Sequence, residues 1–401
     1  MQWFKGRAIA LSLLVLVAML AGCARPTDTT IEPTPTGRET VSFHDENLET
    51  AIRDALGKPV AEKITAAELA KLTTLCAPDS GIADISCLEY CTSLTELALS
   101  GNPISDISPI SSLTNLTSLG LTRVQISDIS PLSSLTNLTK LGLGRNQISD
   151  LSPLSSLTNL TELYIYGNQI ADLSPLSSLT NLTEVDLRHN QISDISPLSS
   201  LTNLTKLYLS RNQISDIYPL TYLSNLAWLG LARNQISDLS LLSSLTNLTE
   251  LSLNGNQISD ISPLSSLTNL TVVFIDGNQI SDISPLSSLT NLTMVYLDGN
   301  QISDISTLSS LTNLIWLSLS WNQISDISLL SSLTNLIWLD LSGNQIGDIS
   351  PLVENHGLGS GDMVWLKGNN LDLWEGSEDM ENIRALEHRG VVVELHDEPT
   401  R

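Results

Sequence analysis

Apolar residues recur along most of this chain with a period of 22 residues. One period shows the pattern, with leucine or isoleucine at Leu138, Leu141, Leu143, Ile148, Leu151, Leu154 and Leu157. Polar residues fill the places between them, and an asparagine returns at the same place of nearly every period from Asn102 to Asn344. Such regular repetition is typical of a solenoid, in which each unit buries its apolar face only against neighbouring units.

Within one period the spacing changes twice, and each change predicts an element. Apolar and other residues alternate over residues 141–143, which predicts a short strand with one face turned inward. Asn146 follows where the chain leaves the strand, and its buried amide can bond the open backbone groups of the turn. Ser152 and Pro153 suit the start of a 3₁₀ or extended return, because 22 residues leave no room for a long helix.

The repeated phrase is L-x-x-L-x-L-x-x-N-x-I followed by S-D-I-S-P-L. It resembles the leucine-rich repeat family, in particular the 22-residue bacterial class of the internalins. The resemblance implies an α/β solenoid in the form of a horseshoe or arc, with a parallel sheet on its concave face and 3₁₀ or extended segments on its convex face. We expect twelve regular units over residues 94–357, within a repeat region of residues 72–371 whose first and last units are degenerate. The asparagine is missing at Val124, which predicts a local defect in that turn.

A helical cap is predicted before the repeats, over residues 41–71. Asp45 suits the N-cap of an amphipathic helix that Gly57 closes. Thr65 and Glu68 have the spacing of a capping box, which predicts a second helix. A solenoid needs such an end because its first unit would otherwise expose core and an unpaired strand edge.

A second cap, of a helix and a strand, is predicted after the repeats, over residues 372–401. Ser377 suits the N-cap of a helix with acidic residues in its first turn and Gly390 at its end. Residues 391–395 then have the composition of a final strand. Residues 354–362 lengthen the period by three and predict a glycine-rich loop.

The N-terminus predicts export. Two basic residues precede an apolar run from Ala8 to Leu20, which is too short for a confident membrane span. The run ends in L-A-G-C, which is similar to the bacterial lipobox and implies cleavage after residues 1–22 and lipidation of Cys23. The alternative is an ordinary signal peptide with an incidental cysteine. Residues 23–40 are rich in Thr and Pro and predict a flexible tether. We therefore expect a protein anchored by lipid to the bacterial membrane and facing the extracellular side.

The charge is strongly acidic, −24 for the whole sequence and about −26 without the signal peptide, and disfavours nucleic acid as a partner. Twelve of the acids form a ladder with the repeat period, from Asp106 to Asp348. In stacked units they would lie roughly 5 Å apart and repel by about 1 kcal/mol even in water. Either each carboxylate accepts backbone N–H groups at its turn, which offsets the repulsion, or the row binds Ca²⁺. The phrase lacks the several oxygen ligands of a calcium loop, so we predict no metal site.

Cysteine and histidine add little chemistry. The repeat register places Cys91 in a buried leucine position, Cys87 in the proline position and Cys76 on a strand. Cys87 and Cys91 could form a disulfide across one turn or remain buried thiols. The five histidines fit no catalytic or metal motif, and no nucleophile turn occurs. We therefore predict neither an enzyme nor a cofactor.

The varied residues between the repeated leucines carry the candidate binding chemistry. All seven basic residues between Leu94 and Pro351 and nine of the eleven aromatic residues there occupy these positions. Arginines dominate the first half of the row and aromatic residues the second half. Tyr, Trp and Arg supply most of the energy of protein interfaces, and neighbouring exposed aromatic residues would form one patch. The candidate binding residues of the concave face are Arg123, Arg145, Tyr164, Tyr166, Arg188, Tyr208, Arg211, Trp228, Arg233, Phe274, Tyr296, Trp316, Trp321, Trp338 and Trp365.

The sequence thus predicts a bacterial envelope lipoprotein that binds a protein partner, in adhesion or recognition, through its concave face. Two alternatives remain open. Aromatic platforms also stack on sugar rings, so the ligand could be a glycan or the cell wall. A solenoid could also serve as a structural spacer in the envelope, although aromatic residues on the concave face argue against that role.

Overall fold

The computed structural model describes residues 39–395. The predicted signal peptide, Cys23 and nearly all of the predicted tether lie outside the described residues, as does the end of the predicted C-terminal cap, residues 396–401. The chain divides into two units, which meet in sequence between Gln191 and Ile192. Each unit is described by itself.

Both units are built from short parallel strands in chain order, one strand per repeat. The strands of the first unit are β1 (Thr74–Cys76), β2 (Glu96–Ala98), β3 (Ser118–Gly120), β4 (Lys140–Gly142), β5 (Glu162–Tyr164) and β6 (Glu184–Asp186). The strands of the second unit are β7 (Lys206–Tyr208), β8 (Trp228–Gly230), β9 (Glu250–Ser252), β10 (Val272–Phe274), β11 (Met294–Tyr296), β12 (Trp316–Ser318), β13 (Trp338–Asp340), β14 (Met363–Trp365) and β15 (Val392–Glu394). Equivalent residues pair directly, as Leu141 does with Leu163, so the sheet register is the repeat period.

Short 3₁₀ helices return the chain from one strand to the next. Most of them begin with the Ser-Pro pair of the repeat, which presets the first turn. The twelve in the described residues are η1 (Ser86–Tyr90), η2 (Ser108–Ser112), η3 (Ser130–Ser134), η4 (Ser152–Leu154), η5 (Ser174–Ser178), η6 (Ser196–Ser200), η7 (Tyr218–Tyr222), η8 (Ser240–Ser244), η9 (Ser262–Ser266), η10 (Ser284–Ser288), η11 (Ser306–Ser310) and η12 (Ser328–Ser332). The α-helices are α1 (Glu46–Leu56), α2 (Ala66–Leu69), α3 (Ser350–Glu354) and α4 (Glu378–His388). Parallel strands with 3₁₀ returns confirm the fold class predicted from the repeat.

The repeated leucines and isoleucines form the core, and nearly all of them are buried. The asparagines form a second buried row that joins successive coils. Asn168 donates from Nδ2 to the carbonyls of Leu143 and Ile165, both at 3.0 Å, and its Oδ1 accepts the Ile148 N–H at 3.0 Å. One side chain therefore satisfies three backbone groups that a turn leaves open.

The missing asparagine at Val124 changes its turn as predicted. Val124 is buried, and its backbone N–H donates to Oδ1 of Asn146 in the next coil at 3.1 Å. Gln125 adopts a φ of 68°, whereas its equivalents Gln147 and Gln169 are outside the left-handed region. Ile104 lacks the asparagine acceptor that its equivalents use, because valine cannot supply one.

The helices predicted before and after the repeats are present, with the capping residues predicted for them. Asp45 Oδ1 accepts the backbone N–H groups of Asn47 and Leu48, and Gly57 closes α1 with a φ of 63°. Thr65 and Glu68 form the capping box at α2. At the other end, Ser377 caps α4.

The structure decides between a disulfide and two buried thiols at Cys87 and Cys91. Cys87 and Cys91 are both free and buried, so the disulfide between them is wrong and the buried-thiol interpretation is confirmed. Burial raises the pKa of the Cys91 thiol to about 12, which keeps it protonated. The Cys87 thiol donates to the Ser42 carbonyl at 3.3 Å and so packs against the N-terminal segment.

Candidate functional site

The varied residues form one surface of each unit, which we call the strand face. It comprises the first and third residue of each strand and the two residues before the ladder position held by asparagine in most coils. The middle residue of each strand points into the core, as the burial of Leu163 and Val295 shows. Strand geometry therefore separates a constant buried frame from a varied outer surface.

The last residue before the ladder position has a positive φ in every coil from β1 to β14. Glycine, which adopts this backbone at little cost, holds seven of these fourteen positions. The others hold Asp79, Arg123, Arg145, His189, Arg211, Arg233 and Trp321, with φ between 49° and 61°. A non-glycine residue in this conformation costs roughly 1–2 kcal/mol, and such strain tends to cluster at functional sites. The sequence showed that four arginines share this position but gave no sign of their backbone conformation.

Five rings of the second unit pack together, and we call them the aromatic cluster: Phe274, Tyr296, Trp316, Trp338 and Trp365. Phe274 stacks on Tyr296 with their ring centroids 4.8 Å apart. Trp338 lies at the centre, 6.2 Å from Tyr296, 5.3 Å from Trp316 and 4.7 Å from Trp365. The cluster therefore spans the coils of β10 to β14 as one partly exposed apolar surface.

Further apolar side chains extend this surface. Trp321 is 67% exposed, and its ring lies so close to Gly343 that a Cβ there would stand 2.8 Å from it. Ile315 and Ile337, just before the cluster's tryptophans in sequence, are 36% and 45% exposed. Neither isoleucine is among the candidate residues predicted from the sequence.

The signal that could have found the isoleucines is a break in the repeat phrase. Most coils have threonine at this position, and its hydroxyl donates to the preceding coil, as Thr271 does to the Thr249 carbonyl at 3.0 Å. Ile315 and Ile337 cannot form this hydrogen bond, and they expose an aliphatic side chain instead. A position that is otherwise scaffold has therefore become part of the varied surface.

Three carboxylates stand among these rings. Asp298 accepts hydrogen bonds from the Ser318 hydroxyl and from the Ser320 backbone N–H and hydroxyl. Burial, with a smaller contribution from the neighbouring charge of Asp298, raises the pKa of Asp276 to about 6. Burial also raises the pKa of Asp340. The aromatic cluster is thus a surface on which negative charge is partly desolvated.

A smaller aromatic pair lies nearer the start of the second unit. The rings of Tyr208 and Trp228 are 4.1 Å apart, and the Trp228 Nε1 donates to Glu250 at 3.0 Å. Tyr208 is only 8% exposed because the Trp228 ring covers it. The expectation that Tyr208 is an exposed candidate is therefore wrong.

The aromatic residues of the first unit are also less exposed than expected. Tyr164 is 4% exposed, and its hydroxyl donates to the Glu162 carboxylate at 3.1 Å. The expected exposure of Tyr164 is therefore wrong. The Tyr166 ring lies across Gly144, where a Cβ would stand 2.5 Å from it, and is partly exposed.

The arginine row is less basic than predicted. Arg188 forms an ion pair with the fully buried Asp186 at 2.6 Å, so it neutralises a buried carboxylate and adds no net charge. Arg123 pairs with Asp79 at 3.0 Å. Arg145, Arg211 and Arg233 are exposed and form no ion pair within residues 39–395. These three remain as the basic residues available to a ligand.

The aspartate ladder lies at the start of the 3₁₀ returns, away from the strand face. Its members accept the backbone N–H two residues later, as Asp260 does from Ser262 at 2.8 Å, which confirms the backbone-bonding alternative. The equivalent bond from the Ser240 N–H lowers the pKa of Asp238 more than the charge of Asp260 raises it. No group of acidic, histidine or cysteine residues arranged for a metal occurs in the described part of the chain. That part also has no helix long and apolar enough to cross a membrane.

These features define a class of protein: a parallel-strand repeat solenoid that carries a varied surface on a constant frame. Six stretches match the family model for Leucine Rich repeats (2 copies), at residues 92–134, 136–178, 180–222, 224–266, 268–310 and 312–354. They cover more than half of the chain, which therefore belongs to the leucine-rich repeat family. No curated protein matches it.

Solved structures agree with this assignment. An internalin (InlF) of Listeria monocytogenes is 41% identical, with a TM-score of 0.77 over 79% of this chain and 94% of the internalin. A leucine-rich repeat protein of Leptospira interrogans is 25% identical, with a TM-score of 0.71 over 78% of this chain and 81% of that protein. The ectodomain of the plant receptor kinase GASSHO1/SCHENGEN3 of Arabidopsis thaliana, solved with CASPARIAN STRIP INTEGRITY FACTOR 2, shares the fold at 22% identity, with a TM-score of 0.57 over 82% of this chain and 47% of that ectodomain.

Proposed function

We propose that this protein is an exported bacterial lipoprotein that binds a protein partner through its strand face. The observation that carries the proposal is the aromatic cluster with its extension by Trp321, Ile315 and Ile337. Solenoids of this kind use extended sheet surfaces for binding, and large exposed apolar patches on soluble proteins mark interaction sites. Adhesion or recognition at the cell envelope is the role that fits this surface.

The ring geometry favours a protein over a glycan. Trp316 and Trp338 meet edge to face at 78°, and Trp338 and Trp365 are tilted by 48°, so the cluster presents edges as well as ring faces. Exposed isoleucines beside it offer aliphatic contact, which a partner's apolar side chains can match. Such anchors usually dominate the energy of a protein interface.

A glycan is the second candidate, and Trp321 is the observation that favours it. Its ring lies across the backbone of Gly343 and leaves one face open, as stacking on a sugar requires. Purified protein would be tested on a glycan array and in a pull-down from envelope and secreted fractions. A saturable protein partner with no array signal supports the proposal, and the reverse result supports the glycan.

The lipid anchor is a separate part of the proposal and rests on the L-A-G-C sequence that ends at Cys23. Acyl chains on this cysteine would hold the protein at the membrane, since each buried methylene contributes about 0.8 kcal/mol. Replacing Cys23→Ser should move the protein from membrane to soluble fractions, as measured by blotting. Cys87→Ser is the matched control and should leave the distribution unchanged. Equal membrane retention of Cys23→Ser and the natural protein would contradict the anchor.

A further inference from the structure

Four of the five rings of the aromatic cluster lie in coils that have no lysine or arginine, and the fifth, Trp365, is followed by Lys367 on the strand face. No lysine or arginine occurs between Asn234 and Leu366, whereas acids are frequent there. On the strand face of these coils the acids are Glu250, Asp276, Asp298 and Asp340. An apolar surface with one sign of charge selects partners of the opposite sign, because charge complementarity sets orientation and excludes the wrong partner.

The carboxylates stand beside the rings in the same coils. Asp276 follows Phe274 and Asp298 follows Tyr296 with one core residue between them, and Asp340 pairs in register with Trp365. Asp298 is already satisfied by the hydroxyls of Ser318 and Ser320. Asp276 forms no ion pair within the described residues and is partly desolvated. Its charge is therefore the one that a ligand would compensate most.

We infer that the aromatic cluster receives lysine or arginine side chains from the partner protein, with Asp276 and Asp340 as their counterions. This inference rests on the proposed function and names the chemistry of the partner surface. The aliphatic stem of a lysine or arginine packs on apolar surface, and its charged head is attracted to ring faces and to carboxylates. The exposed Ile315 and Ile337 would then contact apolar residues beside that basic group.

The inference can be tested by titrating two hexapeptides with blocked termini into the full-length protein, kept in solution with detergent. One peptide alternates glycine and arginine, and the other alternates glycine and glutamine. We expect the arginine peptide to bind at least tenfold more tightly than the glutamine peptide, measured by titration calorimetry at fixed salt. Equal affinities, or no binding of the arginine peptide, would overturn the inference.

Two substitutions locate the binding. Asp276→Asn and Trp338→Ala should each weaken the arginine peptide about tenfold or more. Glu387→Gln removes one charge from an exposed position on α4, away from the strand face, and should change the affinity less than twofold. Loss of binding in Glu387→Gln to the same extent as in Asp276→Asn would show general attraction to an acidic body and would also overturn the inference.

The pH dependence gives an independent readout. Arginine keeps its charge at all pH values used, so a change between pH 5 and pH 7 must come from the protein. The groups that act on Asp276 are the carboxylate of Asp298 and the guanidinium of Arg233, with the Tyr296 hydroxyl also close to both acids. Because the pKa of Asp276 is about 6, affinity should rise over this interval in the natural protein and much less in Asp276→Asn. The same slope in both proteins would contradict a counterion role for Asp276.

The partner captured in the pull-down separates this inference from the proposed function. If Trp338→Ala weakens that partner while Asp276→Asn and Asp340→Asn do not, the strand face binds protein but not through a basic side chain. If none of the three substitutions matters, the proposed surface is wrong as well. Loss of affinity in all three supports both.

Discussion

Aspartate has two opposite environments in this protein. The ladder residues are exposed and accept a backbone N–H, and this bond lowers the pKa of Asp260 below the ordinary value. Asp276 on the strand face is half-buried, and desolvation raises the pKa of its carboxyl to about 6. The same residue type therefore stabilises the fold in one place and carries a desolvation cost in the other.

We expect Asp276→Asn to stabilise the protein at neutral pH. The folded-state pKa lies above the ordinary 3.8, so ionisation of Asp276 destabilises the fold as pH rises from about 4 to about 6, and the full cost remains at pH 7. The difference between these two pKa values corresponds to on the order of 3 kcal/mol. Asp276→Asn should therefore raise the free energy of unfolding at pH 7 but not at pH 4, as measured with urea. A variant that is less stable at pH 7 would contradict the burial argument, and a more stable one excludes misfolding as the reason for lost binding.

The close contact between the Trp321 ring and Gly343 leads to a second prediction. Gly343 has a φ of 67°, and a Cβ there would meet the Trp321 ring at 2.8 Å. Gly343→Ala should lower the free energy of unfolding by roughly 1–2 kcal/mol and displace the ring, which tryptophan fluorescence reports. Gly359→Ala is the control, because no heavy atom lies within 4 Å of a Cβ there and its backbone is outside the left-handed region. A similar loss of unfolding free energy in both variants would show that the contact between Gly343 and Trp321 has no special role.

The aspartate ladder stabilises each 3₁₀ helix in turn, because its hydrogen bond is made once in every coil. The aspartates cap the 3₁₀ returns, as Asp304 does by accepting the Ser306 N–H at 2.8 Å. The lowered pKa of Asp304 means that this stabilisation is present above about pH 4 and is lost as pH falls through the folded-state pKa. Stability should therefore fall in acid, and it should do so without any involvement of metal.

The third prediction tests that last point. The melting temperature should be the same in a chelator and in millimolar Ca²⁺, because the carboxylates already have backbone partners. A specific row of ions would instead raise the melting temperature with Ca²⁺ concentration by mass action. A large rise would reinstate calcium, and Mg²⁺ at equal concentration controls for ionic strength.

The repeat period predicted the elements well because it fixes the frame. Strands, 3₁₀ returns, the asparagine row and the altered turn at Val124 all follow from the position of a residue within the unit. The strand face was harder to predict, since exposure there depends on the neighbouring coil. Tyr208 is buried because Trp228 lies over it, and Arg188 is neutral in effect because Asp186 is buried beside it. A one-dimensional pattern contains the identities of these pairs but not their contacts.

At the scale of the molecule, recognition chemistry changes along the chain. Arg145 is an exposed arginine of the first unit, and Arg211 and Arg233 are exposed near the start of the second. The remainder of the second unit carries the aromatic cluster and the acids of the strand face. A partner would therefore need acidic groups near the arginines and basic groups near the rings. Such polarity fixes the direction in which a partner lies along each surface.

We propose that the strand face binds the partner and that the side with the 3₁₀ helices does not. The decisive measurement is the dissociation constant of the captured partner for Trp338→Ala and for Tyr222→Ala. Tyr222 is a matched control, because it is an exposed aromatic residue of η7 (Tyr218–Tyr222), which packs edge to face with Tyr218 on the return side. Trp338→Ala should weaken binding by about 2 kcal/mol or more, roughly 30-fold, and Tyr222→Ala should change it little. Strong weakening by Tyr222→Ala with none by Trp338→Ala would contradict the assignment of binding to the strand face.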